Sequence, residues 1–271
     1  MKGHADELVE VAANACRRAG AYLLDSFSEP SRLSTKNGRF DLVTRCDSAA
    51  EQMIRRDLTD VFPDSVVIGE EDGTSGDGEL AWYVDPIDGT HNFARGIALF
   101  CVSIGILRRG VPVGGCVYDP VRDELFSAGT DGLLLNGAPL PGPPDHEVTE
   151  QAGERLPMLL TDIPTAGAAD GVELDLFHRL LDIADVRRIG SSALALAYVA
   201  AGRADVAANA DVYPWDTAAG GVLVTAAGGR FTEFPAPRPG APGGFAAWLP
   251  SCEALGRLLE RELGGLPALN G

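Results

Sequence analysis

The run Leu80-Ala81-Trp82-Tyr83-Val84 passes without a break into Asp85-Pro86-Ile87-Asp88-Gly89-Thr90. Apolar, aromatic and β-branched residues in such a run read as a buried strand. The strand therefore ends by placing two carboxylates in a tight turn relieved by glycine. Two carboxylates about 4 Å apart repel by about 4 kcal/mol at an effective dielectric near 20, and a bound divalent cation turns that cost into attraction. The turn reads as a metal site.

Two further stretches deliver acids at the ends of elements. Val66-Val67-Ile68 runs into Gly69-Glu70-Glu71-Asp72-Gly73, and Tyr213-Pro214-Trp215-Asp216 precedes a small-residue helix read over residues 217–228. Taken singly, each has a plainer explanation: an ordinary turn at Asp85-Pro86, a solvated loop at Glu70, a helix cap at Asp216. Taken together, oxygen donors without neighbouring histidine or cysteine suit a hard ion, so the expected metal is Mg²⁺, as more than one ion.

The chain has 271 residues, 45% of them hydrophobic, enough for one large domain or two fused halves. A net charge of −17 disfavours docking on nucleic acid or anionic lipid. It does not exclude a small phosphate ester, because bound cations reverse the local field. The five cysteines, Cys16, Cys46, Cys101, Cys116 and Cys252, contain no C-x-x-C pair, so reduced cytoplasmic thiols are expected rather than a disulfide framework or a zinc ribbon. No signal peptide and no membrane span are read, since charge enters within the first ten residues and no run of eighteen apolar residues occurs.

Apolar positions Leu8, Val9, Ala12, Ala15, Ala19, Tyr22 and Leu23 recur at helical spacing and predict a helix over residues 5–27. A second helix is read over residues 48–61, starting after Asp47. Short apolar runs at 98–107, 112–118, 124–128 and 133–135, broken by turn dipeptides, predict an antiparallel meander. Pro141-Gly142-Pro143-Pro144 and the polar stretch to Arg155 form the expected boundary, giving an N-terminal α+β half, 1–145, and a C-terminal α/β half, 156–271. In the second half, strands at 158–161, 186–189 and 205–208 alternate with helices at 174–183, 192–201 and 217–228; strands at 231–234 and 245–249 and a helix at 253–263 follow.

Together Asp41-Leu42-Val43-Thr44 with Asp47, Gly69-Glu70-Glu71, Asp85 through Phe93, Trp215-Asp216 before Ala218-Ala219-Gly220, and the block Arg188 through Leu194 with Gly202-Arg203-Ala204-Asp205 resemble the inositol monophosphatase family of Mg²⁺-dependent, lithium-sensitive phosphatases. The resemblance covers most of the chain. It implies a layered α-β-α-β-α sandwich of the sugar-phosphatase type, a homodimer, and hydrolysis of a small phosphate monoester by a metal-activated water. Carried over, Glu70, Asp85 and the Ile87 carbonyl hold one ion, Asp85, Asp88 and Asp216 a second, and a third sits near Glu70. Thr90 and Asp47 aim the water, while the Gly89 and Thr90 amides grip phosphate. Asp47 has a rival reading as a helix cap. Lys36 matches a lysine near the family's site, yet also fits a solvated surface; His91 reads as a rim residue, Glu71 and Asp72 as tuners of local charge or binders of water, and Arg187 and Arg188 as phosphate-directed or, the favoured reading, as decoration of a strand end.

For the substrate, the resemblance places Gly190, Ser191 and Ser192 beside the ring of a hydroxylated alcohol, and puts Asn209 where inositol-directed relatives carry a carboxylate. An amide lacks the charge for a strong bond to a hydroxyl pair, although Asp211 is near in sequence. The expected ligand is an inositol, cyclitol or sugar phosphate, with histidinol phosphate as an alternative. A reading of another class is a non-catalytic regulatory partner of the transcription machinery; a complete set of metal-ligand residue types argues against it.

Overall fold

The computed structural model describes residues 2–27, 34–36, 41–43, 45–140, 156–165, 167 and 171–265. Helix α1 (Lys2–Ser26) is followed by a short antiparallel pair, β1 (Ser34–Lys36) and β2 (Asp41–Val43), and by helix α2 (Arg45–Val61). Strands β3 (Ser65–Gly69), β4 (Gly73–Ser75), β5 (Leu80–Asp88), β6 (Cys101–Arg108), β7 (Val111–Asp119), β8 (Glu124–Gly129), β9 (Gly132–Leu135) and β10 (Ala138–Pro139) form one sheet, with the short helix α3 (Thr90–Ala94) between β5 and β6. Its order is β10-β9-β8-β7-β6-β5-β3-β4, and every neighbouring pair is antiparallel except β3 and β5.

The second half contributes β11 (Met158–Leu160), α4 (Gly171–Ile183), β12 (Asp185–Arg187), α5 (Ser192–Ala200), β13 (Val206–Val212), α6 (Pro214–Ala226), β14 (Arg230–Glu233), β15 (Gly243–Trp248) and α7 (Glu253–Gly264). Its sheet runs β12-β11-β13-β15-β14, parallel across the first three strands and antiparallel beyond.

The period-2 alternation of strands sorts the core into layers. On β6, Val102, Ile104 and Ile106 join a cluster with Leu8, Ala12 and Leu23 of α1 and Ala50, Ile54 and Leu58 of α2. Cys101 on β6 and Val117 on β7 face the other way, into a cluster with α5, α6, and Ala207, Phe245 and Ala247 of the smaller sheet. A third cluster joins Val206, Ala208, Ala246 and Trp248 to Leu176 and Leu180 of α4 and Leu255 and Leu259 of α7. The order is α-β-α-β-α, as the resemblance implied. The middle helix layer is clamped closely: a Cβ on Gly105 of β6 would lie 2.4 Å from the Ala218 Cβ, and one on Gly115 of β7 2.8 Å from the Ala219 Cα. These gaps let α6 lie against the large sheet.

Several element ends differ from the sequence reading. Helix α2 begins at Arg45, not Ser48, so Asp47 lies inside its first turn and is not its cap. Helix α6 begins at Pro214, not Thr217, because a proline is pre-set for the first helical turn. Asp216 therefore lies within the helix. Strand β4 was not expected, since its exposed Gly-Thr-Ser sequence has no strand pattern. The boundary placed at residues 141–155 lies outside the described residues, and chain on both sides of it shares the middle core. Among the described residues no helix is long and apolar enough to cross a membrane.

Candidate metal centre

On a regular strand, residues three apart face opposite sides. Yet Asp85 and Asp88 come together, because β5 pairs Asp85 with Ser103 and Asp88 with Cys101, three steps against two. One extra residue is accommodated as a bulge at Pro86-Ile87, which turns the second carboxylate to the side of the first. Proline is tolerated inside a strand at such a place. The Asp85 Oδ1 accepts the Ile87 N–H at 2.9 Å, and the Thr90 hydroxyl donates to the Ile87 carbonyl at 2.9 Å, closing the turn. Gly89 has a φ of 99° and would bring a Cβ to 2.9 Å from the Leu99 carbonyl, so only glycine fits.

The third acid comes from the other half. Asp216, in the first turn of α6, accepts the Tyr213 N–H at 2.6 Å, and Ser103 on β6 donates its hydroxyl to the Trp215 carbonyl at 3.2 Å. The start of α6 is thereby tied to the strand that flanks Asp85. Ligand oxygens of Asp85, Asp88 and Asp216 lie within 4.8 Å of one another. Glu70 follows β3, whose last residue Gly69 is in register with Val84, and its N–H donates to the Val84 carbonyl at 3.2 Å. Glu70 thus stands near enough for its charge to act on Asp85, but outside the 4.8 Å cluster of the three aspartates, and the buried Asp47 approaches from α2.

Electrostatics agree. The Asp85 carboxyl is raised well above its ordinary range, first by burial and then by Glu70, Asp88, Asp216 and Asp47. Asp216 is pushed up to about 7 by burial and by Asp88. Burial also raises Asp88, opposed by hydrogen bonds from Ser191 and from backbone amides. Among the described residues no arginine or lysine forms an ion pair with these three acids. Clustered oxygen donors with no cationic partner among the described residues fit a hard divalent cation.

Asp88 also binds the opposite wall. Its Oδ2 accepts from the Ser191 hydroxyl and the Ala193 N–H, both at 2.6 Å, and Oδ1 from the Ser192 N–H at 3.3 Å, at the N-terminus of α5. Asn92 fastens the same junction, donating to the Leu99 and Ile189 carbonyls, both at 2.7 Å. Gly190, Ser191 and Ser192 therefore border the acids. Asn209 is buried and spent on structure: its amide donates to the Ser192 hydroxyl at 2.8 Å and its oxygen accepts the Asp162 N–H at 2.5 Å. Asp162, which the sequence did not single out, accepts the Gly190 N–H at 3.2 Å and brings a carboxylate to that wall.

Other candidates stand apart from the three aspartates or lie outside the described residues. Arg187 pairs with Asp185, as decoration of a strand end would, whereas Arg188 donates to the Pro164 carbonyl at 3.0 Å and its charge acts on the Asp162 carboxyl. His91 is exposed, as is Asp211, whose charge reaches Asp216. Thr44 and the Lys36 side chain lie outside what is described. In the 235–244 loop, Pro237 helps line a cavity of about 500 Å³ against Thr217, Gly221 and Thr225 of α6.

Comparison with known proteins places this geometry. The model of the inositol monophosphatase family matches residues 4–250. A Nus factor SuhB from Xylella fastidiosa is 37% identical over 230 residues, 83% of this chain and 82% of that protein. Inositol monophosphatase 1 of Solanum lycopersicum is 37% identical over 84% of each chain. The solved inositol monophosphatase of Anabaena superposes with a TM-score of 0.77 at 32% identity, covering 97% of this chain and 98% of that one. The chain belongs to the inositol monophosphatase family and is a phosphoric monoester hydrolase.

Proposed function

We propose that the protein hydrolyses a small phosphate monoester of a hydroxylated alcohol, with Mg²⁺ held by Glu70, Asp85, the Ile87 carbonyl, Asp88 and Asp216. The observation that carries this reading is the convergence of Asp85, Asp88 and Asp216 oxygens within 4.8 Å from two separate elements. Magnesium, when bound, supplies Lewis-acid stabilisation of phosphoryl charge and a water of lowered pKa. Asp47 and Thr90 would hold and orient that water. The Gly89 and Thr90 amides, at the start of α3, receive the phosphate oxygens, since the first N–H groups of a helix have no partner within it. The wall of Gly190, Ser191 and Ser192 receives the alcohol.

Inositol or cyclitol phosphates and sugar phosphates are the favoured esters. With Asn209 occupied by Ser192 and Asp162, Asp162 is the carboxylate offered to substrate hydroxyls or to the amine of histidinol phosphate. A reducing, cytoplasmic setting is supported by five free thiols. The expected assembly is a homodimer, which sedimentation would read. A second reading, a regulatory partner of transcription, is favoured by the name of the Xylella relative, a Nus factor.

Phosphate release from a panel including inositol 1-phosphate and histidinol phosphate tests the proposal. Release should require Mg²⁺, fall with added Li⁺, and drop at least about a hundredfold in Asp88→Asn, which removes charge stabilisation at the transition state. Undiminished turnover by Asp88→Asn would reject the site. No turnover on any ester, with RNA polymerase retained in a pull-down, would favour the regulatory reading.

A further inference from the structure

Glu51 sits in the buried face of α2 between Ala50 and Ile54 and is 0% exposed. A carboxylate there is costly unless its charge and lone pairs are matched. All its partners belong to one turn or brace it. Its Oε2 accepts the Glu71 N–H at 2.7 Å, and its Oε1 accepts the Asp72 N–H at 3.0 Å and the Arg55 Nε–H at 2.7 Å. Arg55 itself donates to the Val67 carbonyl at 3.3 Å, to the Ser75 hydroxyl at 2.5 Å and to the Gly73 carbonyl. On the near side the carboxylate lies flat against Gly69, where a Cβ would come within 2.3 Å of Oε1.

Gly69 precedes Glu70, and Glu71 and Asp72 follow it. One buried side chain thus holds the two amides that follow Glu70, an acid near Asp85, and packs against the glycine that precedes it. Arg55 offsets the charge and ties the flanking strands β3 and β4 to the same point. We infer that Glu51 is a positioning residue that sets the protein's affinity for Mg²⁺ by fixing the turn that presents Glu70. The inference rests on the proposed reading of Glu70 as a metal ligand.

Glu51→Gln keeps the size but turns one acceptor into a donor facing N–H groups. Groups that orient metal ligands typically cost 10–100-fold in affinity when altered. In calorimetric titration with MgCl₂, Glu51→Gln should bind at least about tenfold more weakly than the unaltered protein. Its turnover at saturating Mg²⁺ should stay within about threefold, because no reacting atom is touched. In EDTA-treated protein, amide exchange at Glu71 and Asp72 should accelerate. Glu51→Asp keeps the charge but is too short to reach both amides, so it should not restore affinity. Should Glu51→Gln fail to fold, Glu51→Gln/Arg55→Met removes the ion pair as a unit and should fold with the same weakened binding. Unchanged Mg²⁺ affinity in a folded variant, with only a lower melting temperature, would overturn the inference and leave the proposed function standing. An unaltered protein that binds no Mg²⁺ would overturn both, and unchanged exchange at Glu71 and Asp72 would overturn the staple itself.

Discussion

Removing divalent cations and raising the pH should weaken the fold. Asp216 has a carboxyl pushed from 3.8 to about 7 by burial and by Asp88. Its folded-state proton affinity exceeds that of the unfolded chain, so its contribution is fully present below about pH 4 and is lost as pH rises through about 7. At about 1.4 kcal/mol per unit, that loss is up to about 4 kcal/mol, a large share of the 5–15 kcal/mol typical of a domain. Asp85 and Asp88 are raised as well and act in the same direction. Glu124 and Glu262, held low by Arg203 and Arg179, and Glu253, held low by the Trp248 N–H and then by Arg257, are shifted away from the pH 5–8 range and add no opposing slope there. Urea unfolding of EDTA-treated protein at pH 5, 6, 7 and 8 should therefore show stability falling with pH. Excess Mg²⁺ should flatten the curve and add about 2.7 kcal/mol at a concentration one hundred times its dissociation constant. Asp216→Asn should lose much of the slope and be the more stable protein at pH 8 in EDTA. Metal-free stability that is constant, or that rises over this range, would refute the electrostatic reasoning.

Gly105→Ala should destabilise by about 1–3 kcal/mol, because its Cβ would sit 2.4 Å from that of Ala218 and 2.9 Å from α6 backbone; displacing α6 should also weaken Mg²⁺ binding. Thermal unfolding and a metal titration read both effects, and an unshifted melting temperature would contradict the close packing described. Asn209→Leu leaves the Asp162 N–H and the Ser192 hydroxyl without a partner and should cost about 1–3 kcal/mol in chemical denaturation. Asp162→Asn should change KM differently for polyol and aryl phosphate esters while turnover of the aryl ester is kept; equal KM changes would remove Asp162 from the alcohol side.

How far the fold could be read depended on whether the information was local. Helix α1 was visible because Leu8, Ala12, Ala15, Ala19 and Leu23 repeat on one stripe, and each is buried. The meander from β6 to β9 was visible because turn dipeptides interrupt apolar runs at short intervals. The acidic turn itself announced a charge that had to be answered. What local pattern conceals is partnership. Glu51, four residues before Arg55, has the spacing of a solvated surface pair on a helix, yet its carboxylate is enclosed. Asp162 follows a short strand with no pattern of its own, and only the parallel pairing of β11 with β12 and β13 brings it to Gly190. Asp216 was expected ahead of its helix because small residues from Thr217 onward dominate the pattern, whereas Pro214 sets the true start.

The extra residue at Pro86-Ile87 makes the acid pair a matter of parity. Shortening the segment between Asp85 and Asp88 by one residue would restore an unbroken pleat and bring the two acids to the same face by ordinary alternation, but would erase the kink that leads the chain into Gly89 and Thr90. Lengthening it by one would leave the chain with slack and no fixed heading. Conservative exchange of side chains at these two positions is therefore a milder insult than any change in chain length, and a library of insertions and deletions across residues 85–88 should be far emptier of folded, cation-binding members than a library of substitutions at Pro86 and Ile87.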